Sequence, residues 1–145
     1  MWFNPIIKNL LRSPLHGFVS KNMMLITYTG WKSGKTYTVP VNYYRVQGNT
    51  GEYIATTSKR DRVWWRSLRG GAGVEARLQG RDYRAHANVL EDGKYVVQHL
   101  VVLFQQHPDL VKYYQIGIDP LGAPDPKDIE ILAETSVCIQ MVIDI

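Results

Sequence analysis

The 145-residue chain has little of several features that would narrow its function at once. It has one cysteine, Cys138, which excludes an internal disulfide and a thiolate metal cage. Because Cys138 lies in an alternating apolar stretch, we expect a buried thiol rather than a nucleophile. The four histidines show no metal-ligand spacing, so we expect no metal site. No run of about 18 apolar residues occurs and the first residues do not have the order of a signal peptide, so we expect a cytoplasmic protein.

What the sequence does contain is typical of one globular domain with a basic surface. Hydrophobic residues make up 45% and charged residues 21%, which are ordinary values for a globular protein. The length suits a single domain over residues 1–145. The formal net charge of +4 favours anionic partners, such as phosphates, a polyanionic cofactor, nucleic acid or an acidic membrane surface.

The apolar pattern predicts a meander of strands. We expect strands over 23–28 and 35–46, and Pro40 confines the second of these to a sheet edge or a bulge. The alternation from Val74 to Val89 predicts a hairpin, and the C-terminal residues are predicted to form a further strand.

Helical patterns occur beside these strands without alternating regularly with them. The predicted helices cover about 4–12, 61–68, 94–106 and a short segment from 109, whereas 119–128 reads as irregular. This order excludes a doubly wound parallel sheet. It predicts a mainly β fold with peripheral helices (α+β), either an antiparallel barrel or a sandwich.

The segment TGWKSGKTYTVP (29–40) looks at first like a nucleotide phosphate loop. That loop needs four residues between its glycines and a helix after them, whereas Gly30 and Gly34 enclose three and a strand is predicted to follow. These residues can still hold an anion, because glycines let amide N–H groups converge and Lys32 and Lys35 add positive charge. A plain polar hairpin turn explains the composition equally well.

A second basic segment, SKRDRVWWRSLR (58–69), favours the anion-binding interpretation. It places five cations beside Trp64 and Trp65. Because adjacent helical residues do not point the same way, we expect one tryptophan in the core and the other against a ligand or partner. The alternative is a solvated basic face with both tryptophans in the core.

Together these segments resemble the deazaflavin-dependent nitroreductase family, which uses coenzyme F420. The family pattern is T-G-R-K-[ST]-G-x-x-R-x-x-P, followed by a strand ending in Gly-Gly and a W-Y-x-N-L block. The matching positions are Thr29, Gly30, Lys32, Ser33, Gly34, Pro40, Trp64 and Leu68. The chain departs from the pattern at Trp31, which replaces an arginine, and over 59–62, which replaces the Gly-Gly. The resemblance follows the order of elements over 4–145 and is specific over 25–90.

The resemblance implies an antiparallel split β-barrel, similar to FMN-binding proteins, and an oxidoreductase of the nitroreductase or quinone reductase type. Reduced coenzyme F420, a deazaflavin, is the expected hydride donor to a small electrophile such as a quinone or a nitro compound. The implied cofactor-binding residues are Lys32, Ser33, Gly34 and Lys35 at the phosphate and acidic tail, Thr38, Val39, Pro40 and Val41 along the ring, Ser58 and Lys59 completing the phosphate pocket, and Trp64 and Trp65. Tyr113 and Tyr114 are expected on the substrate side, where a hydroxyl donates a proton or polarises the acceptor.

Other interpretations remain open at this point. One is an FMN-binding split-barrel oxidoreductase, and another is a non-enzymatic protein that binds a cofactor or lipid. We expect no nucleic-acid partner, because the strand aromatics alternate inward and a pI of about 9.2 is modest. A small-molecule electron acceptor is the expected partner. A peripheral membrane contact through the N-terminal helix and a homodimer are further associations that the sequence leaves open.

Overall fold

Seven strands form one antiparallel sheet in the computed structural model, which describes residues 23–144. The strands are β1 (Met23–Thr29), β2 (Thr36–Asn42), β3 (Tyr44–Gly48), β4 (Gly51–Lys59), β5 (Ala72–Leu78), β6 (Arg81–Leu90) and β7 (Ser136–Ile143). Their order across the sheet is β2-β1-β5-β6-β7-β4-β3, so β2 and β3 form its two edges. The N-terminal helix predicted over about 4–12 lies outside the described residues.

Helices accompany the sheet within residues 23–144. They are a 3-10 helix (Trp64–Leu68), α1 (Gly93–Gln106), α2 (Asp109–Tyr113) and α3 (Pro126–Thr135). The carboxylate of Asp125 accepts a hydrogen bond from the Lys127 amide at 2.9 Å, and Pro126 occupies the first turn of α3. The prediction that 119–128 is irregular is therefore wrong from Pro126 onward. Asp125 and Pro126 form a helix start signal that the turn-rich composition around them concealed.

One face of the sheet curls around an apolar interior. Every second residue of a strand points inward, as Met24, Ile26 and Tyr28 do in β1. The same interior contains or contacts Tyr37, Val39, Val41, Val74, Ala76, Leu78, Tyr83, Ala85, Ala87, Val89, Val137, Ile139, Met141 and Ile143. Strand β2 approaches β4 without pairing with it, so the barrel is split between these two strands. The structure confirms a mainly β, antiparallel, split-barrel-like fold with peripheral helices.

A second core lies between the helices and the outer face of β3, β4 and β7. Val46, Ala55 and Cys138 from the strands share this core with Leu100 and Phe104 of α1. Burial raises the pKa of the Cys138 thiol to about 12, so the thiol stays protonated at neutral pH. The prediction of a buried cysteine is confirmed.

Two predicted element boundaries differ from the structure. The strand predicted over 35–46 breaks at Tyr43, because the chain leaves its pairing with β1 there and continues as β3 beside β4. The first half, β2, is an edge strand, which confirms the edge position predicted for Pro40. The helix predicted from Asp61 begins at Trp64 as a 3-10 helix, and no side chain caps it.

Candidate functional site

The Lys-Ser-Gly turn between β1 and β2 is braced by its own backbone. The Gly30 amide donates to the Lys35 carbonyl at 2.8 Å, and the Gly34 amide donates to the Gly30 carbonyl at 2.9 Å. The Ser33 hydroxyl accepts from the Lys35 amide at 3.1 Å and lies 3.0 Å from the Tyr37 hydroxyl. Gly34 has a φ of 70°, which a residue with a side chain rarely adopts. The turn is therefore one fixed conformation rather than an open loop.

A hydrogen bond joins this turn to the 3-10 helix. The Trp31 amide donates to the Ser67 hydroxyl at 3.2 Å. Between the two elements lies a cavity of about 240 Å³, called here the turn cavity. Its wall consists of Tyr28, Gly30, Trp31, Lys32, Ser33, Tyr37, Val63, Trp64, Arg66 and Ser67. The basic turn and the basic tryptophan segment, which the sequence analysis considered together, therefore lie next to each other in the fold.

The two tryptophans of the 3-10 helix are both buried in the barrel interior. The Trp64 indole N–H donates to the Ser58 hydroxyl at 3.1 Å, and the Trp65 indole N–H donates to the Lys59 carbonyl at 3.2 Å. The expectation that only one of them is a core residue is wrong. Both indoles pack among the apolar side chains of the barrel interior.

The split between β2 and β4 forms a second cavity of about 430 Å³, called here the split cavity. Val39, Val41 and Leu132 give it apolar surface, and Thr56 and Thr57 add hydroxyl groups. Its remaining wall residues are Pro40, Asn42, Ser58, Lys59, Arg62, Trp64, Tyr113, Tyr114, Thr135 and Ser136. Trp64 lines both cavities, so an extended ligand with an anionic end and a flat ring could contact it from either side.

The cations predicted as one cluster divide into two kinds. Arg69 forms two hydrogen bonds to the Glu91 carboxylate, at 2.9 and 2.8 Å, and Arg60 donates to the backbone carbonyls of Glu91 and Ala133. These two arginines already have partners within the protein. Lys32, Lys35, Lys59 and Arg62 form no ion pair with any residue of 23–144.

Arg66 differs from the other cations of the 3-10 segment. It lies on the wall of the turn cavity, and its guanidinium carbon is 5.7 Å from the centre of the Trp65 ring. Its Nε atom is buried and has no hydrogen-bond partner within the described chain. Because Arg66 lies on the cavity wall and forms no ion pair with a described residue, it is suited to an anionic ligand entering the cavity.

Two adjacent tyrosines flank the split cavity. The Tyr114 hydroxyl lies 2.9 Å from the Thr57 hydroxyl, and burial raises the pKa of Tyr114 above its ordinary value. Tyr114 therefore remains a neutral phenol at physiological pH. Tyr113 packs edge-on against it and leaves 65% of its own surface exposed.

The structure brings most of the predicted site residues together. Lys32 and Ser33 line the turn cavity; Val39, Pro40, Val41, Ser58, Lys59, Tyr113 and Tyr114 line the split cavity; Trp64 lines both.

Four predicted residues lie on neither wall. Gly34 and Lys35 belong to the turn, and Trp65 is packed in the interior. Thr38 points to the other side of β2, where its hydroxyl lies 2.9 Å from that of Thr27. This placement follows from the strand alternation, since Thr38 lies between two inward residues.

Sequence reasoning did not select Arg66, Ser67, Tyr28 or Tyr37 as site residues. Tyr37 alternates inward on its strand, and its position next to the turn could have suggested the site. Nothing in the local sequence separates Arg66 from the structural arginines beside it, because the difference depends on Glu91 and Ala133 from distant elements.

The described chain contains no cluster of three or more His, Cys, Asp or Glu side chains that could hold a metal ion. None of the helices within residues 23–144 has the length and apolar character needed to span a bilayer.

The chain matches no family model and no curated protein. Among solved structures it is similar to a protein described as a domain-swapped dimer. The two are 20% identical, the match covers 83% of this chain and 81% of that one, and the TM-score is 0.47. A likeness of this degree carries no information about the chemistry of the site.

Proposed function

We propose that the protein is an oxidoreductase that binds reduced coenzyme F420 and uses it for hydride transfer to a small electrophile, such as a quinone or a nitro compound. The observation that supports this most is the position of Trp64 between two cavities of different chemistry. The turn cavity has the cations Lys32 and Arg66 beside serine and tyrosine hydroxyl groups. The split cavity has apolar side chains and neutral hydroxyl groups, with the cations Lys59 and Arg62 on the rest of its wall.

The turn cavity suits the anionic part of such a cofactor, its phosphate and acidic tail. Lys32 and Arg66 lie on its wall, and no aspartate or glutamate among residues 23–144 does. The guanidinium of Arg66 on this wall would form charge-assisted hydrogen bonds with a phosphate or carboxylate oxygen.

The split cavity suits a flat, largely apolar ring. Val39 and Val41 of β2 face it from one side, and Thr56 and Ser58 of β4 from the other. A bound deazaflavin supplies the hydride, and the protein's contribution is to orient the ring and exclude water. In this proposal Tyr114 offers the acceptor a neutral hydroxyl as a hydrogen-bond donor.

Fluorescence titration of the full chain with F420, with its ring-only precursor lacking phosphate and tail, and with FMN tests this proposal. We expect tight binding of F420 and much weaker binding of the precursor. Arg66→Gln should weaken F420 binding about tenfold or more, because a charge-assisted hydrogen bond is lost. Arg81→Gln is the matched control, since Arg81 is an exposed arginine that lines neither cavity.

Other results would redirect the assignment. Tighter binding of FMN than of F420 supports the flavin alternative. F420 binding without oxidation of the reduced cofactor by a soluble quinone indicates a non-enzymatic binding protein. No binding of either cofactor contradicts the proposal.

A further inference from the structure

Two large apolar side chains on the wall of the turn cavity are exposed. Trp31 leaves 60% of its surface exposed and Val63 leaves 57%, although both border the same cavity. Single exposed apolar residues are common, but a tryptophan and a valine together beside an opening form a local apolar patch. In the family that this segment resembles, the Trp31 position holds an arginine, so the resemblance does not account for the indole.

The exposed indole is attached to a rigid support. Trp31 is held through its amide by Ser67 at 3.2 Å, within a turn closed by the hydrogen bonds of Gly30. The ammonium group of Lys32 lies 5.0 Å from the centre of the indole ring. The ring therefore projects from a fixed backbone, and little ordering is needed for it to meet a partner.

The charge around this patch is strongly positive. Residues 30–35 contain two lysines, and residues 59–69 contain five cations and one carboxylate, that of Asp61. Lys32, Lys35 and Arg62 form no ion pair with any described residue. Their charges are thus available to an anionic surface.

An exposed tryptophan with the Lys32 ammonium against its ring, on a turn that also carries Lys35, fits the interface of an anionic bilayer. Indole rings favour the headgroup region, and each basic side chain near an anionic leaflet adds attraction. We propose that Trp31, Val63, Lys32, Lys35 and Arg62 form a membrane-docking surface that places the turn cavity against anionic lipid. All five residues follow the predicted N-terminal helix in the sequence.

Vesicle sedimentation of the full chain, without cofactor, tests this docking surface. We expect the protein to sediment with vesicles of phosphatidylcholine and phosphatidylglycerol at a ratio of about 3:1, and to stay in solution with phosphatidylcholine alone. Raising the salt concentration should release it. Because the assay contains no F420, its outcome does not depend on the proposed function.

Substitutions assign the binding to specific side chains. Trp31→Ala should weaken partitioning about tenfold, from the apolar surface lost, and Arg62→Gln about fivefold. Leu121→Ala and Arg81→Gln are the controls, since Leu121 is 94% exposed and neither residue lies on the docking surface. Both controls should bind as the unaltered protein does.

Several results would overturn the proposal. It fails if the protein does not sediment with anionic vesicles. It also fails if Trp31→Ala binds these vesicles as the unaltered protein does, while Leu10→Asp in the predicted N-terminal helix abolishes binding. It also fails if sedimentation velocity without lipid shows a dimer that Trp31→Ala converts to a monomer, since the patch then meets a second copy of the chain.

Discussion

Removal of the Ser58 hydroxyl tests the most central contact of the site. This hydroxyl accepts a hydrogen bond from the buried Trp64 indole N–H at 3.1 Å and donates one to the Lys59 carbonyl at 3.2 Å. The sequence resemblance assigned Ser58 to a phosphate pocket, whereas in the structure its hydroxyl accepts a hydrogen bond from Trp64. We expect Ser58→Ala to act mainly on the stability and position of Trp64.

The magnitude follows from what the substitution leaves behind. In Ser58→Ala the Trp64 N–H is buried without an acceptor, which costs about 1–3 kcal/mol. For a chain of this size that loss lowers the Tm by about 3–10 °C. Thermal and urea unfolding, followed by circular dichroism, measure it. Thr50→Ala, which removes an exposed hydroxyl from the β3–β4 turn, should stay within about 0.5 kcal/mol.

A double-mutant cycle with Trp64→Phe separates this contact from general effects on packing. Phenylalanine carries no N–H, so Ser58→Ala should cost about 1 kcal/mol less in that background. An equal loss in both backgrounds, or no loss in either, would refute the reasoning. Weaker F420 binding by Ser58→Ala at unchanged stability would return Ser58 to the role that the resemblance implied.

Two further predictions concern side chains outside the site. Burial lowers the pKa of His99 from 6.5 to about 4, so the native state resists protonation that the unfolded chain accepts. Its contribution to the free energy of unfolding is complete above pH 6.5 and is lost as the pH falls toward 4, by about 3 kcal/mol. Urea unfolding measured over that pH window should show a shallower fall in stability for His99→Gln than for the unaltered protein. Parallel curves for the two proteins would contradict this. The Gln106 side chain accepts from the Gln47 amide at 2.8 Å and donates to its carbonyl at 3.0 Å, which covers the edge of β3. Gln106→Ala should lose about 1 kcal/mol and self-associate with rising concentration in light scattering, whereas the exposed neighbour Gln105→Ala should do neither.

The strand pattern was predictable because one face of each strand is buried. Alternation identified the inward residues of β5, β6 and β7 correctly, since a shift of one residue would reverse every side chain. The break at Tyr43 was not predictable, because the alternation continues through it while the pairing partner changes from β1 to β4. On α1 the apolar periodicity predicts a buried face of Val97, Leu100, Val101 and Phe104. In the structure Val101 is partly exposed and Leu103 is buried instead. Apolar residues surround much of that helix, so periodicity alone did not select one face.

The candidate site was predictable only in part. Glycine, lysine and serine within a short turn indicated an anion-binding conformation, and the structure contains that turn in a braced form. The site residues of β4, α2 and the 3-10 helix lie far from it in sequence. Their approach depends on the curl of the sheet, which local spacing does not encode.

By itself the sequence determined an antiparallel, mainly β chain with an edge strand at Pro40 and a basic turn before it. These follow from local rules, namely side-chain alternation, the missing amide of proline and the backbone freedom of glycine. Only the tertiary structure decided which cations are available to a ligand. Arg60 and Arg69 are engaged by Glu91 and Ala133, whereas Arg66 lies on the wall of the turn cavity and forms no ion pair with a described residue. These arginines thus differ in their availability to a ligand, because long-range packing supplies acceptors to Arg60 and Arg69 but no ion-pair partner to Arg66.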